Sequence, residues 1–142
     1  LDVLQMAADA MPDGKLKYAM GLGKPEEIVQ CVEMGYRLFD CVIPTREARH
    51  NRLYAFLPGM ATPEGVRSGR AFYRHMYLLD ADYCRDARPV DESCDCCLCR
   101  GHSRAYLNHL LKMGDPYALR LMTAHNLRFY GRLMELLRDG EA

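Results

Sequence analysis

The chain has 142 residues, 19 Lys plus Arg against 19 Asp plus Glu, and 49% apolar side chains. This suits one ordinary domain with a real core. No stretch reaches the roughly 18 consecutive apolar residues of a transmembrane helix, and no signal-peptide pattern opens the chain, so no membrane association is expected.

The start at Leu1 rather than Met points to a fragment or a processed product. The zero net charge is unevenly spread. Residues 41–75 carry Arg46, Arg49, Arg52, Arg67, Arg70 and Arg74 against Glu47 and Glu64 alone, while the first 40 residues are acidic. An arginine-rich stretch in a neutral chain fits either a confined anionic partner, such as a phosphate backbone, or a solvated loop.

In chain order, Leu1 to Ala10 reads as a short helix ended by Pro12 and the Asp13-Gly14 turn. Leu16 to Met20 reads as a strand running into Gly21-Leu22-Gly23. Pro25, Glu26 and Glu27 then suit a helix first turn, Ile28, Val29, Val32 and Met34 give that helix an apolar side, and Gly35 stops it. Arg37 to Val42 is a second strand, closed by Pro44. Strand, helix and strand in this length make a βαβ unit with parallel strands, hence an α/β fold.

Leu53 to Phe56 and Ala71 to Tyr73 read as strands of a hairpin. Helices are expected from His102 to Met113 and from Pro116 to Arg138. In the second, Leu119, Met122, Leu127, Tyr130, Met134 and Leu137 recur at helical spacing and read as core.

Two places carry chemistry. Asp40 lies near the end of its strand, and in βαβ folds reacting groups project from carboxyl ends of strands. There an aspartate serves as base, ligand or nucleophile, or simply caps the next turn. As a nucleophile it can attack an anomeric carbon and form a glycosyl ester.

The second is the cysteine cluster. Cys94, Cys96 and Cys99 follow C-x-C-x-x-C spacing, with Cys97 between them. Cysteines so close fit metal ligation better than a disulfide framework, and a reducing cytoplasm is the natural compartment. Adjacent cysteines rarely face one metal, which favours Cys96 over Cys97. His125 lies on the last predicted helix, with His102 and His109 as rival ligands. Spacing indicates zinc but leaves the choice of histidine open. Three thiolates and one imidazole fill a tetrahedral shell, so the metal is expected to be structural.

Taken together, Lys17 to Gly23, Leu38 to Arg49, the Cys94-Cys96-Cys99 segment, Ser103-Arg104-Ala105-Tyr106-Leu107 and His125 to Tyr130 resemble the C-terminal part of the tRNA-guanine transglycosylases, or queuine tRNA-ribosyltransferases. The resemblance runs over nearly the whole chain. It implies the last two strands and closing helix of a (β/α)8 TIM barrel with an inserted zinc-binding subdomain. Residues 1–49 would hold the last βαβ unit, and 50–142 the extended hairpin, zinc subdomain and C-terminal helices.

The resemblance also assigns His125 as fourth ligand and one structural Zn2+ per chain. It makes Asp40 the nucleophile that exchanges the wobble guanine of tRNA for queuine or its 7-deazaguanine precursor. Met20 and Gly21 would contact the base, and Thr45, Arg46, Arg49, Gly23 and Lys24 the tRNA. A homodimer through the zinc subdomain, of bacterial type and cytoplasmic, is further implied. A full barrel needs about 250 residues, so the chain is expected to be inactive alone.

His50-Asn51 replaces the family's Asn-Gly, and the stretch from Asp40 to Cys94 is longer than the family's. The competing reading is a catalytically silent zinc module that only binds tRNA or a partner subunit.

Overall fold

A computed structural model of the chain describes residues 2–139. The chain divides into two compact units, one up to Ile43 and one from Pro44 onward.

The first unit contains α1 (Asp2–Ala10), β1 (Lys17–Met20), α2 (Pro25–Glu33) and β2 (Tyr36–Asp40). β1 and β2 pair in parallel, with Met20 opposite Asp40, as the expected βαβ unit requires. Pro25 at the first turn of α2 lacks only an N–H that would have no helical partner, and the Ile28 N–H bonds the Lys24 carbonyl at 3.0 Å.

Alternation along the strands gives the sheet two unlike faces. Ala19 is buried with Ala8, Cys31 and Tyr36, and Phe39 packs against that cluster. Tyr18, Met20 and Leu38 point the other way and are exposed, Met20 by 77%. The Tyr36 hydroxyl donates to the Leu4 carbonyl at 3.0 Å and ties α1 to β2.

The second unit is built around an antiparallel hairpin, β3 (Arg52–Phe56) with β4 (Tyr73–Tyr77), as the sequence predicted. The second strand lies further along than Ala71 to Tyr73. A short helix, α4 (Pro63–Arg67), capped by the Thr62 hydroxyl, takes up part of the connection. Another, α3 (Ile43–Arg49), follows β2, where the sequence suggested only a proline stop. Pro44 instead falls in the helix's first turn, where proline is tolerated.

α5 (Cys97–Gly101), α6 (Arg104–Met113) and α7 (Pro116–Asp139) complete the unit. α6 is capped by the Ser103 side chain and ended by Gly114 in the left-handed region.

α7 carries the core, and the expected stripe holds in part. Met122, Tyr130 and Leu137 are buried and Met134 half-buried, as expected; Leu119 and Leu127 are exposed, and Leu121, Phe129, Leu133 and Leu136 are buried besides. The shift makes room for two polar residues in the centre. His125 and Asn126 are both 0% exposed and both bind β3. Asn126 accepts the Tyr54 N–H at 3.2 Å and donates to the carbonyls of Arg52 and Pro44, each at 3.0 Å.

One side chain thus satisfies three buried backbone groups. Truncating it should leave them unpaired, at about 1–3 kcal/mol for each such group, with neighbouring costs not additive. Asn126→Ala is expected to lose about 2–4 kcal/mol of unfolding free energy in urea titration. A loss under about 0.5 kcal/mol would show that the clamp is dispensable.

Candidate metal centre and strand-end carboxylate

The local backbone gathers the cysteines. Cys96 is the N-cap of α5, where its sulfur accepts the Cys99 N–H at 3.4 Å, bending the chain so that both sulfurs point the same way. Asp91, itself buried, holds the approach: its carboxylate accepts the Phe56 N–H at 2.8 Å and the Ser93 N–H at 2.8 Å. Arg128 on α7 donates to Asp95 from the other side.

His125 completes the group. Its Nδ1 lies 3.7, 3.4 and 3.3 Å from the sulfurs of Cys94, Cys96 and Cys99. All four donor atoms fall within 4.8 Å of one another. A tetrahedral ion with zinc-like bonds of about 2.3 Å to sulfur and about 2.05 Å to nitrogen would separate S and N by about 3.6 Å. The four donors therefore fit one metal ion.

His125 Nε2 lies 2.7 Å from the Tyr54 carbonyl and donates its proton there, which leaves Nδ1 to coordinate. The rivals lie elsewhere. Cys97 and His109 are exposed, and the His102 ring stacks on Tyr106 at 4.7 Å.

The donors are crowded enough to shift one another's protons. Hydrogen bonds from Cys94 and Cys99 draw the Cys96 thiol down, while Cys94 and Cys96 push Cys99 up. Burial would lower the His125 imidazole, yet the thiols of Cys94 and Cys96 outweigh it and raise it to about 10. Metal entry displaces these protons and weakens as pH falls.

The carboxylate is an open site. Asp40 is exposed at the end of β2, and its Oδ1 accepts the Gly21 N–H at 3.0 Å. Gly21 adopts φ +70°, a left-handed turn residue that ends β1 at little steric cost beside that bond. The Gly21 N–H first, and the Tyr18 hydroxyl second, hold the Asp40 carboxyl below its ordinary value of 3.8, and Asp40 in turn raises Tyr18. Hydrogen bonding to the charged form sets this shift, with burial opposing it.

Comparison with known proteins bears on both places. The sequence model of the family described as queuine tRNA-ribosyltransferase matches residues 1–140. This chain belongs to that family. A relative from Thioalkalivibrio sulfidiphilus named queuine tRNA-ribosyltransferase is 45% identical over 99% of the chain and 33% of its own length. Relatives of the same name from Psychrobacter cryohalolentis and Symbiobacterium thermophilum are 43% and 41% identical, over 98% and 96% of the chain and 33% and 30% of their own lengths. The chain spans about a third of the curated relatives it matches.

The other residues singled out within this family member divide between the units. Met20 is exposed opposite Asp40, which excludes a role in the core of its unit. A Cβ on Gly23 would collide with the Cys41 side chain, so glycine is needed there by close approach. Lys24 stands at the N-cap position of α2 without capping it by its side chain, and pairs with Glu27 at 3.1 Å. In the second unit, Arg46 and Arg49 are exposed one turn apart on α3, opposite buried Pro44 and Ala48, with Thr45 half-buried beside them.

Sequence reasoning gave no part to Asp91 or the Tyr54 carbonyl. A backbone oxygen leaves no trace in residue type, though an Asn directly after a ligand His signals a second buried polar contact. Among described residues, no helix is long and apolar enough to cross a membrane.

Because the folded value of Asp40 is depressed, its ionised form persists as pH falls below 3.8, and any stability it adds is present above 3.8 and lost through the lower folded value. A carboxyl-carbon NMR titration should place Asp40 below 3.8, and Tyr18→Phe should move it partway back. A midpoint at or above 3.8 would contradict the Gly21 contact.

Proposed function

We propose that this chain is the C-terminal part of a tRNA-guanine transglycosylase that exchanges the wobble guanine of tRNA anticodons for queuine or its 7-deazaguanine precursor, with Asp40 as nucleophile. The observation that carries the reading is the register of β1 and β2. Met20 and Asp40 stand opposite each other at one carboxyl end, and the Gly21 N–H orients the exposed carboxylate. The two strands are then the last of a (β/α)8 barrel that α7 closes. The bare face formed by Tyr18, Met20 and Leu38 supports this, since clustered exposed apolar side chains call for cover.

In this mechanism an Asp40 carboxylate oxygen attacks the anomeric carbon of the wobble ribose. The carbon–nitrogen bond breaks, its electron pair leaves with guanine, and that nitrogen takes up a proton. A nitrogen of the incoming base then displaces Asp40 and gives up its own proton, so protons balance over the exchange, and two inversions give net retention, as in a retaining glycosidase. Water must be excluded while the ester exists.

Met20 and Gly21 flank the base. Thr45, Arg46 and Arg49 read neighbouring bases, for which the planar arginine fork is suited. Gly23 and Lys24, at the start of α2, meet a backbone phosphate. Residues 1–49 form the last βαβ unit, and 50–142 the hairpin, zinc subdomain and closing helices. The subdomain also pairs two copies of the enzyme.

Cys94, Cys96, Cys99 and His125 would hold one Zn2+, whose filled shell supplies structure rather than chemistry. A silent module that only holds tRNA has no need of an exposed carboxylate at the strand end, oriented by the Gly21 N–H, and this favours the enzyme.

In the full-length enzyme carrying this segment, Asp40→Asn should abolish the covalent RNA adduct on denaturing gels and lower base exchange by about 10³-fold or more. An adduct that survives the substitution rejects the nucleophile. Cys96→Ser should lose bound zinc by elemental analysis and lower the melting temperature. Retention of one zinc per chain would remove Cys96 from the ligand set.

A further inference from the structure

The β3–β4 hairpin presents a surface that neither the carboxylate nor the metal centre uses. Arg52 and Tyr77 face each other in register, and the Arg52 guanidinium lies 5.2 Å from the centre of the Tyr77 ring. Glu47 on α3 binds Arg52 at 2.7 Å, with Arg46 3.8 Å from its other oxygen. The Glu47 side chain is 13% exposed, against 49% for Arg46 and 38% for Arg52. The acid is thus tucked beneath two outward guanidinium groups and fixes the hairpin's arginine beside those of α3.

His75 points to the same side of β4 as Tyr77, is exposed, and meets the Tyr54 ring edge-on at 4.7 Å. The ring of Tyr77 is likewise accessible, with the residue 41% exposed. Flat rings beside fixed cations are what single-stranded nucleic acid requires: bases stack on the rings and phosphates meet the guanidinium groups. Six arginines against two acids in residues 41–75 add a favourable field.

We infer that Arg52, Tyr77 and His75 form a second contact for single-stranded RNA, continuous with the Arg46–Arg49 helix. A nucleotide beyond those at the reaction centre stacks on Tyr77 or His75 while Arg52 meets its phosphate. The inference deepens the proposed function and rests on α3 being an RNA-reading helix. Glu47 is the strut that fixes one contact relative to the other.

The test uses the full-length enzyme and an anticodon stem-loop RNA, with affinity measured by fluorescence anisotropy over a salt series. Tyr77→Leu should weaken binding about tenfold, and Tyr77→Phe should restore it, since stacking needs only the ring. Arg52→Gln should reduce the salt slope by about one. All three should leave the melting temperature within a few degrees and the Asp40 adduct intact at saturating RNA.

Unchanged affinity and slope in Tyr77→Leu and Arg52→Gln, in a wild type that binds RNA and forms the adduct, overturn this contact alone. A changed oligomeric state with unchanged RNA affinity assigns the surface to a protein partner and overturns it too. Failure of the wild type to bind RNA, or an adduct in Asp40→Asn, instead rejects the enzyme reading and this contact with it.

Discussion

The second unit depends on a grip that two consecutive residues of α7 take on one residue of β3. His125 donates to the Tyr54 carbonyl and Asn126 accepts the Tyr54 N–H, so both backbone polar groups of a buried strand residue are satisfied by side chains of a helix. Polar groups without partners are costly in a dry core, so the pairing fixes helix and strand in one register. Asn126 extends the grip to Pro44 at the start of α3. The same contact fixes the tautomer and direction of the imidazole, and hence where a metal can sit.

Around that grip the structure is layered by chemistry. Tyr54 and Phe56 meet Phe129 and Tyr130 of α7 in an aromatic cluster, while Leu53, Ala55 and Met76 face the aliphatic core on the other side of the hairpin. The cysteine turn sits at the edge of this core, held by Asp91 and by the Arg128–Asp95 pair. A cation binding there would cross-link the turn to α7 and, through His125, to β3. That would be a short coordinate path between distant stretches of chain, and four protein donors would leave such an ion no open position.

The first unit holds its strand-end carboxylate differently. Asp40 is exposed, burial raises it only against a larger opposing effect, and the N–H of Gly21, at the end of the neighbouring strand, is the main influence on it. An exposed carboxylate is ionised at neutral pH with or without such a donor, so what the Gly21 N–H adds is a fixed direction for one oxygen. The geometry follows from the parallel register, which sets Met20 opposite Asp40 and brings the next backbone N–H to the carboxylate.

The sequence alone determined whatever rests on local periodicity and covalent spacing: the βαβ unit, the existence of the hairpin, the two long helices, and a thiol cluster spaced for a metal. Each follows from residues near one another in the chain. Only the tertiary structure decided among contacts between distant residues. It turned His125 inward and left His109 exposed, moved the core stripe of α7 off Leu119 and Leu127, and gave Asp40 its N–H donor. It also revealed α3 and α4, too short for helical periodicity to register. Propensity acts over a few residues, whereas burial and buried hydrogen bonding act across the whole chain, and where the two compete in α7 the buried polar pair prevails.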